Sequence, residues 1–340
     1  MPIYTKYLLT GGLGYIGAHI AVALLNHNPA IEVIIVDNLS NSRPEKLNAI
    51  RGHVESCGTR LAFYNCDIND GDTLDGIFKE RKPHVVIHLA GLKAVAKSVE
   101  WPMEYYKANM ASTMTLLETM SANGCQTLIF SSSATVYGPT CPEEGLNEEV
   151  PTGRGLTNPY ARTKYFQEEY LKDISAAEPQ WWNITILRYF NPVGAEWADL
   201  GEDPKEPPNN LFPHLMRAHR SGDTLQVYGT DYPTRDGTAM RDFIHVQDLA
   251  EGHLAAASAA GTTGGGLRTY NLGTGRGVTV GELIEAFNVV NGGHLPVKYV
   301  GRRAGDVEIC FSDCRKAAGE LGWKAKRSVY DMMRVDSLKN

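Results

Sequence analysis

The chain has 340 residues, of which 43% are hydrophobic and 21% charged, with a formal net charge of −6. That length fits two domains or one large α/β domain with an elaborated second half, and the composition is that of a water-soluble globular protein. The charge excludes a general nucleic-acid or membrane-surface binder while leaving room for a local basic pocket, and no apolar run reaches the length of a membrane span.

The start, Met1-Pro2-Ile3-Tyr4-Thr5-Lys6, leads straight into an apolar strand pattern and shows no secretory leader. The predicted elements then follow in order: strand Tyr4–Thr10, helix Ile16–Leu25, strands Ile31–Val36, Leu61–Tyr64 and Val85–Leu89, and a long helix over Glu104–Ser121. Strand Thr127–Ser132, helix Tyr160–Ile174 and a sixth strand, Ile184–Tyr189, complete the first half. Strands without polar alternation, separated by helical patterns, predict a buried parallel sheet covered on both faces, a doubly wound α/β fold of Rossmann type. After Tyr189 the character changes. Asp199–Pro213 carries Pro204, Pro207, Pro208 and Pro213, so it is neither one helix nor a central strand. Arg241–Ala259 reads as strand then helix, Gly261–Gly266 as a break and Gly281–Asn291 as a helix. The expected division is a dinucleotide domain over 1–188, rejoined by 238–260, and a smaller substrate region over 189–237 and 261–340.

Six cysteines (Cys57, Cys66, Cys125, Cys141, Cys310, Cys314) form no Cys-x-x-Cys pair, which points to reduced thiols in a cytoplasmic protein. Cys310 and Cys314 read as structural. The histidines show no metal-ligand spacing, and His88 and His245, beside apolar runs, read as packed side chains; no metal site is expected.

Thr10-Gly11-Gly12-Leu13-Gly14-Tyr15-Ile16-Gly17 ends the first strand and opens the first helix. Glycines at 11, 14 and 17 permit a tight turn, close backbone approach to a pyrophosphate and close helix–strand packing. A pyrophosphate there meets the unpaired N–H groups and positive dipole end of a helix. Asp37 ends the second strand, 20 residues beyond Gly17. A carboxylate at that point accepts the ribose hydroxyls of NAD and repels the 2′-phosphate of NADP, so NAD is the expected cofactor.

Asn158-Pro159-Tyr160-Ala161-Arg162-Thr163-Lys164 reads as a helix start, with Asn158 as N-cap and Pro159 at the first helical position. Tyr160 and Lys164 then share one face a turn apart. A neighbouring ammonium favours the phenolate of a tyrosine whose ordinary pKa is about 10, making Tyr160 a candidate base. Ser133 follows a predicted strand, at the end where ligands bind in such sheets, and is placed to hydrogen-bond the same reacting oxygen.

With its glycine turn, Asp37, Ser133, Tyr160 and Lys164, the chain resembles the extended short-chain dehydrogenase/reductase family. Within it, the chain is similar to the UDP-hexose 4-epimerases. The blocks that carry this are His88–Val95, Phe130–Gly138, Leu187–Ala195, Pro208–Leu211, Asp231–Thr234, Arg241–Val246, Tyr270–Gly273 and Arg302–Asp306, in order over nearly the whole chain. The resemblance implies that Gly11, Gly14, Tyr15, Ile16, Gly17, Asp37, Asn38, Asn41, Ser42, Asp67, Ile68, Leu89, Ala90, Gly91, Lys93, Asn109, Ser133, Tyr160, Lys164 and Phe190 line the NAD site. It implies that Tyr160, Lys164 and Ser133 are catalytic. On the substrate side it implies Lys93, Ser133, Tyr160, Tyr189, Asn191, Asn210, Leu211, Gln226, Tyr228, Arg241, Arg303, Asp306 and Cys310. Arg241 and Arg303 are expected to hold the diphosphate, Asp306 the uridine ribose, and Tyr228 to stack near the uracil. The implied activity is inversion at C4 of UDP-glucose and UDP-galactose through a transient 4-keto sugar, in a homodimer built on helices of the cofactor domain.

Two other readings are weighed. A 4,6-dehydratase of the same family needs an extra acid and base, an Asp-Glu pair after the strand, where this chain has Ala134-Thr135, and neither residue transfers a proton as a carboxylic acid does. A cofactor-sensing protein without catalysis is expected to have lost Ser133, Tyr160 or Lys164, and all three are present. Cys310 stands where the family often carries a bulky tyrosine, so UDP-GlcNAc and UDP-GalNAc are further expected substrates.

Overall fold

The computed structural model describes residues 4–202, 210–303 and 305–334. Pro204, Pro207 and Pro208 lie outside the described residues, as do Asn209 and Ala304 within the blocks Pro208–Leu211 and Arg302–Asp306, and both ends of the chain.

The first six strands are β1 (Lys6–Thr10), β2 (Glu32–Asp37), β3 (Leu61–Asn65), β4 (Val85–His88), β5 (Thr127–Ser133) and β6 (Asn183–Tyr189). The later ones are β7 (Asn191–Val193), β8 (Leu225–Tyr228), β9 (Met240–Arg241), β10 (Phe243–His245), β11 (Gly266–Leu272), β12 (Val278–Thr279), β13 (Val297–Val300) and β14 (Ile309–Cys310). Seven strands make one parallel sheet in the order β11-β6-β5-β4-β1-β2-β3. The strand pleat sorts side chains alternately onto its two faces. Leu9, Val33, Ile35, Ile87, Ile129 and Leu187 join one apolar cluster, and Leu8, Ile34, Val36, Val86, Leu128 and Ile186 join the other. Helices Tyr15–His27 and Val246–Ala260 pack together on the first face. Gly71–Arg81 and Ser112–Ala122 pack together on the second. With both faces covered, the strands need no polar alternation, and each fully buried Leu, Ile or Val contributes roughly 1.5–3 kcal/mol.

The chain runs β1, β2, β3 to one side and then returns to β4 on the other side of β1. This reversal opens a crevice at the C-terminal ends of β1 and β4, the place where such sheets bind ligands. The smaller part has its own apolar cluster, which includes Phe212, Leu215, Leu225, Val227, Leu283 and Phe287. It carries the β8–β13 pair and the three-strand β12-β9-β14 sheet. Among the described residues, no helix is long and apolar enough to cross a membrane.

Three features differ from the sequence expectations. β11 is a seventh strand of the large sheet and falls in the stretch expected for the substrate region; as an edge strand it pairs only with β6, and its sequence is not continuously apolar. The long helix predicted over Glu104–Ser121 is interrupted by a π-helical turn at Tyr106–Ala111. Leu211-Phe212-Pro213, expected as loop, opens the helix Leu211–Ser221, where Pro213 sits in the first turn and its missing N–H breaks no helical hydrogen bond.

Candidate active site

The glycine turn is built as a cradle. Gly11 has φ +67, and a Cβ added there would lie 2.9 Å from the Ala90 backbone. A Cβ on Gly17 would lie 2.6 Å from the Gly11 carbonyl oxygen. Gly14 starts the helix Tyr15–His27 without a side-chain cap, and no acidic residue occupies the first turn. That helix end keeps its positive dipole and its uncapped N–H groups, a donor set that fits the pyrophosphate of a dinucleotide.

Asp37 is buried at the end of β2. Its Oδ2 accepts from the Leu13 N–H (3.0 Å), and its Oδ1 accepts from the Leu39 N–H (2.9 Å) and the Ser42 hydroxyl (2.7 Å). This carboxylate ties the glycine turn to the loop after β2. Asn38 donates to Asp67 Oδ2 at 2.9 Å. Ile68 beyond it is buried, whereas Asn41 is exposed.

Across the crevice, Leu89-Ala90-Gly91 follows β4. Thr10 Oγ1 receives the Leu89 and Ala90 N–H groups at 3.2 and 3.3 Å and bonds His88 Nδ1 at 2.7 Å. His88 Nε2 reaches Thr113 Oγ1 at 2.8 Å. Burial pushes the His88 imidazole down to about 3, so it is neutral and packed, as its apolar setting implies. The π-helical turn presents Asn109. Its Oδ1 accepts from the Leu92 N–H (2.8 Å), while Nδ2 donates to the Leu92 carbonyl and Thr163 Oγ1, both at 3.0 Å. Asn109 therefore fixes the loop beside Gly91, and π turns are frequent at functional sites. Tyr15 donates its hydroxyl to the Gly194 carbonyl, and Ile16 beside it is half-buried. Phe190 is buried, its N–H on the Leu272 carbonyl at 3.2 Å.

The helix Pro159–Ala177 begins as its sequence demands. Asn158 Oδ1 accepts from the Ala161 N–H at 2.9 Å, and Pro159 occupies the first helical position. Tyr160 is half-buried and within reach of Ser133, whose hydrogen bond favours the phenolate. Burial outweighs that effect and pushes the Tyr160 phenol up to about 12. Ser133, at the end of β5, also accepts from Thr135 Oγ1 at 3.0 Å and the Thr135 N–H at 3.3 Å. Lys164 is buried. Its Nζ donates to the Ser131 carbonyl at 2.7 Å and lies 4.8 Å from the centre of the Phe130 ring. Burial pulls its ammonium down to about 8, opposed by the Glu168 carboxylate. The expectation of a Tyr160 pKa below its ordinary value is therefore corrected in direction. The ammonium is committed to a backbone carbonyl, and desolvation of the phenolate is the larger effect.

The side chains expected on the substrate side are built differently. Arg303 Nη2 donates to Asp306 Oδ1 at 2.8 Å, and its guanidinium carbon lies 5.5 Å from the centre of the Tyr228 ring. Tyr228 donates its hydroxyl to Gln226 Oε1 at 3.2 Å. Gln226, Tyr228, Arg303 and Asp306 thus form one cluster. Arg241 Nη1 donates to the Met240 and Glu308 carbonyls at 2.8 and 3.3 Å. Cys310 is paired in register with Arg241 and packs in the small cluster that contains Phe190 and Tyr137. Asn191 donates its side-chain amide to the Asp242 carbonyl at 3.2 Å. Lys93 Nζ and Asn210 Nδ2 both donate to Glu202 Oε1, at 2.6 and 2.9 Å, and Leu211 opens the helix that follows. Tyr189 is paired in register with Ser133. It is buried in the large-sheet core with its hydroxyl on His253 Nε2.

Sequence reasoning missed three side chains around this site: Glu202, which joins Lys93 to Asn210, and the pair Glu168 and Arg188 behind Lys164 and β5. Arg188 was visible as a charge inside a predicted apolar strand, which demands a buried partner.

The family described as the NAD dependent epimerase/dehydratase family matches residues 7–273. The chain belongs to that family. More narrowly, it is 46% identical over 328 residues to the UDP-glucose 4-epimerase of Bacillus subtilis, covering 96% of this chain and 94% of that one. The crystal structure of UDP-glucose 4-epimerase from Bifidobacterium longum, in complex with NAD+ and UDP, is 45% identical with a TM-score of 0.91, covering 98% of this chain and 97% of that one. The enzyme of the same description from Stenotrophomonas maltophila, with bound NAD and a formylated UDP-arabinopyranose, is 39% identical with a TM-score of 0.92 over the same shares, 98% and 97%.

Proposed function

We propose that this protein is an NAD-dependent isomerase that inverts C4 of UDP-hexoses, interconverting UDP-glucose and UDP-galactose. The observation that carries the reading is the placement of Tyr160, Ser133 and Lys164 at the C-terminal end of β5, next to the β1/β4 crevice with its glycine cradle. The near full-length likeness to UDP-glucose 4-epimerases agrees with it.

The glycine turn and Asp37 would hold NAD, which would supply a hydride acceptor and donor for C4 of the sugar and a positive ring that favours the Tyr160 phenolate. The chain's own residues supply position and protons. Tyr160 takes the proton of the 4-hydroxyl and gives it back, with Ser133 holding the same oxygen. Lys164, buried beneath, holds the strand end through the Ser131 carbonyl. Gly11, Gly14 and Gly17 admit the pyrophosphate, and Asp37 faces the ribose; Asp67 and Ile68 flank the adenosine side. At the other end, Arg241 and Arg303 hold the diphosphate, Asp306 the uridine ribose, and Tyr228 the uracil face, since guanidinium groups match phosphate geometry. Lys93 and Asn210, now joined through Glu202, turn to the substrate when it arrives. The cofactor domain then comprises 1–188 with the helix Val246–Ala260 and the edge strand β11, and the substrate region the rest. That region includes β9 and β10, which pair with β12, β14 and β7 and not, as expected for 238–260, with the large sheet.

Three finer features belong to the same reading. Cys310 is small, and beside Phe190 it leaves room for a 2-acetamido group, so UDP-GlcNAc and UDP-GalNAc are substrates as well. The protein is a homodimer. Exposed Val99, Met103, Met114 and Phe166, on helices beside the cofactor site, and Trp101, between two of them, offer apolar surface suited to a second copy. Its free cysteines suit a cytoplasmic setting.

The test is incubation of purified protein with each of the four UDP-sugars and no added NAD. Interconversion of C4 epimers is expected, and a stable 4-keto-6-deoxy product in their place would point to a dehydratase.

A further inference from the structure

We infer that Glu168 is a positioning residue of the site: from one turn beyond Lys164, its buried carboxylate anchors Ser132 and Arg188 and so fixes the strand end that carries Ser133 and receives Lys164. Tyr160, Lys164 and Glu168 stand four residues apart in turn along the helix Pro159–Ala177, so they share one face. Glu168 is fully buried, and its partners account for both oxygens. Oε1 accepts from the Ser132 hydroxyl at 2.5 Å and from Arg188 Nε at 3.0 Å, and Oε2 accepts from Arg188 Nη2 at 2.7 Å. Arg188 Nη1 in turn donates to the Tyr137 hydroxyl at 2.9 Å, which donates to Asn271 Oδ1 at 2.7 Å.

Successive residues of β5 are thereby held from one helix. Lys164 takes the Ser131 carbonyl and lies over the Phe130 ring; Glu168 takes the Ser132 hydroxyl; Ser133 is left to the reacting oxygen. A buried ion pair bound this way is weak evidence for stability alone, because apolar side chains of similar volume often serve stability as well or better. One turn back on the same helix face stands the Lys164 ammonium, held to the same strand. Desolvation pulls that group down to about 8, and Glu168 is the charged neighbour that opposes the fall. The other titratable groups near Lys164 and Tyr160 are His88 on β4, Tyr105 on the helix Pro102–Tyr105, and Tyr189 and Arg188 on β6. His88 is held neutral by burial, burial raises both tyrosines, and Arg188 is paired with Glu168 itself. None of these replaces the carboxylate.

The sign follows from the charge. Without Glu168 the Lys164 proton is lost at lower pH, so activity that needs the ammonium fails sooner on the alkaline side. The inference rests on the epimerase reading only for its kinetic arm. Glu168→Gln leaves Arg188 buried without its counter-ion, so a second variant, Glu168→Gln with Arg188→Gln, removes both charges. In both holoproteins the alkaline limb of kcat is expected to move about one pH unit towards neutrality with KM unchanged. Independently of substrate, the isotope-labelled side-chain resonance of Lys164, assigned by its disappearance in Lys164→Met, is expected to titrate lower by a similar amount. A folded variant of either kind whose limb and lysine midpoint stay where the parent has them overturns the inference and leaves Glu168 a packing residue. A shifted midpoint with no epimerase activity in the parent would sink the function and leave the Glu168–Lys164 coupling standing.

Discussion

The two ends of the crevice are made by opposite means. At the cofactor end the partners are backbone and buried. The Asp37 carboxylate accepts from two backbone N–H groups and the Ser42 hydroxyl, and the glycine turn leaves no space for a Cβ. At the end proposed for the nucleotide sugar the partners are charged side chains that hold one another, and Arg303 is about half exposed. The difference matches the two ligands. A cofactor kept through every turnover suits a rigid socket, whereas a substrate that enters and leaves suits ion pairs worth little in water, about 0–1 kcal/mol each, that a dianion readily replaces.

Changes in the socket should therefore cost most. Gly17→Val places a side chain against the Gly11 carbonyl and should abolish both NAD retention and activity; cofactor content of the purified protein, read by absorbance after denaturation, checks this. Tyr160→Phe keeps the socket and removes the proton carrier. It should lower kcat by about 10²–10⁴-fold with cofactor content intact, and an unchanged kcat would remove Tyr160 from the chemistry. At the loose end the effects should be smaller and of another kind. Arg303→Ala should raise KM for UDP-sugars by roughly 10-fold or more with little change in kcat, since a hydrogen bond to a charged group contributes about 1.5–3 kcal/mol. Equal losses in kcat and kcat/KM would contradict the contrast. Cys310→Tyr should be the mildest for UDP-glucose while removing activity on the acetamido sugars. Parallel loss on both would show that pocket volume at Cys310 is not what admits them.

The same contrast governs what could be read in advance. The glycine turn, Asp37, the Asn158 cap and the Tyr160–Lys164 pair are local in the chain, and their spacing alone sets their geometry. So were the buried strands of the sheet, each a short apolar run. Features that depend on distant partners were hidden: the Lys93–Glu202–Asn210 link spans more than a hundred residues, and Arg188 meets Glu168 only because β6 lies beside β5. β11 was hidden for another reason. An edge strand need not be apolar throughout, so Gly266–Leu272 lacks the run that marks the interior strands. The π turn at Tyr106–Ala111 leaves no mark in a helical pattern, although it is what brings Asn109 to the loop after β4. The direction of the Tyr160 shift depends on burial, which spacing does not reveal.

The central claim is that hydride and cofactor never leave the site between the two half-reactions. The direct test uses UDP-glucose deuterated at C4, given to the protein as purified without added NAD. The account predicts UDP-galactose that keeps its deuterium at C4, with no reduced cofactor accumulating in solution. Loss of the label to solvent, or reduced cofactor released in step with product, would contradict it.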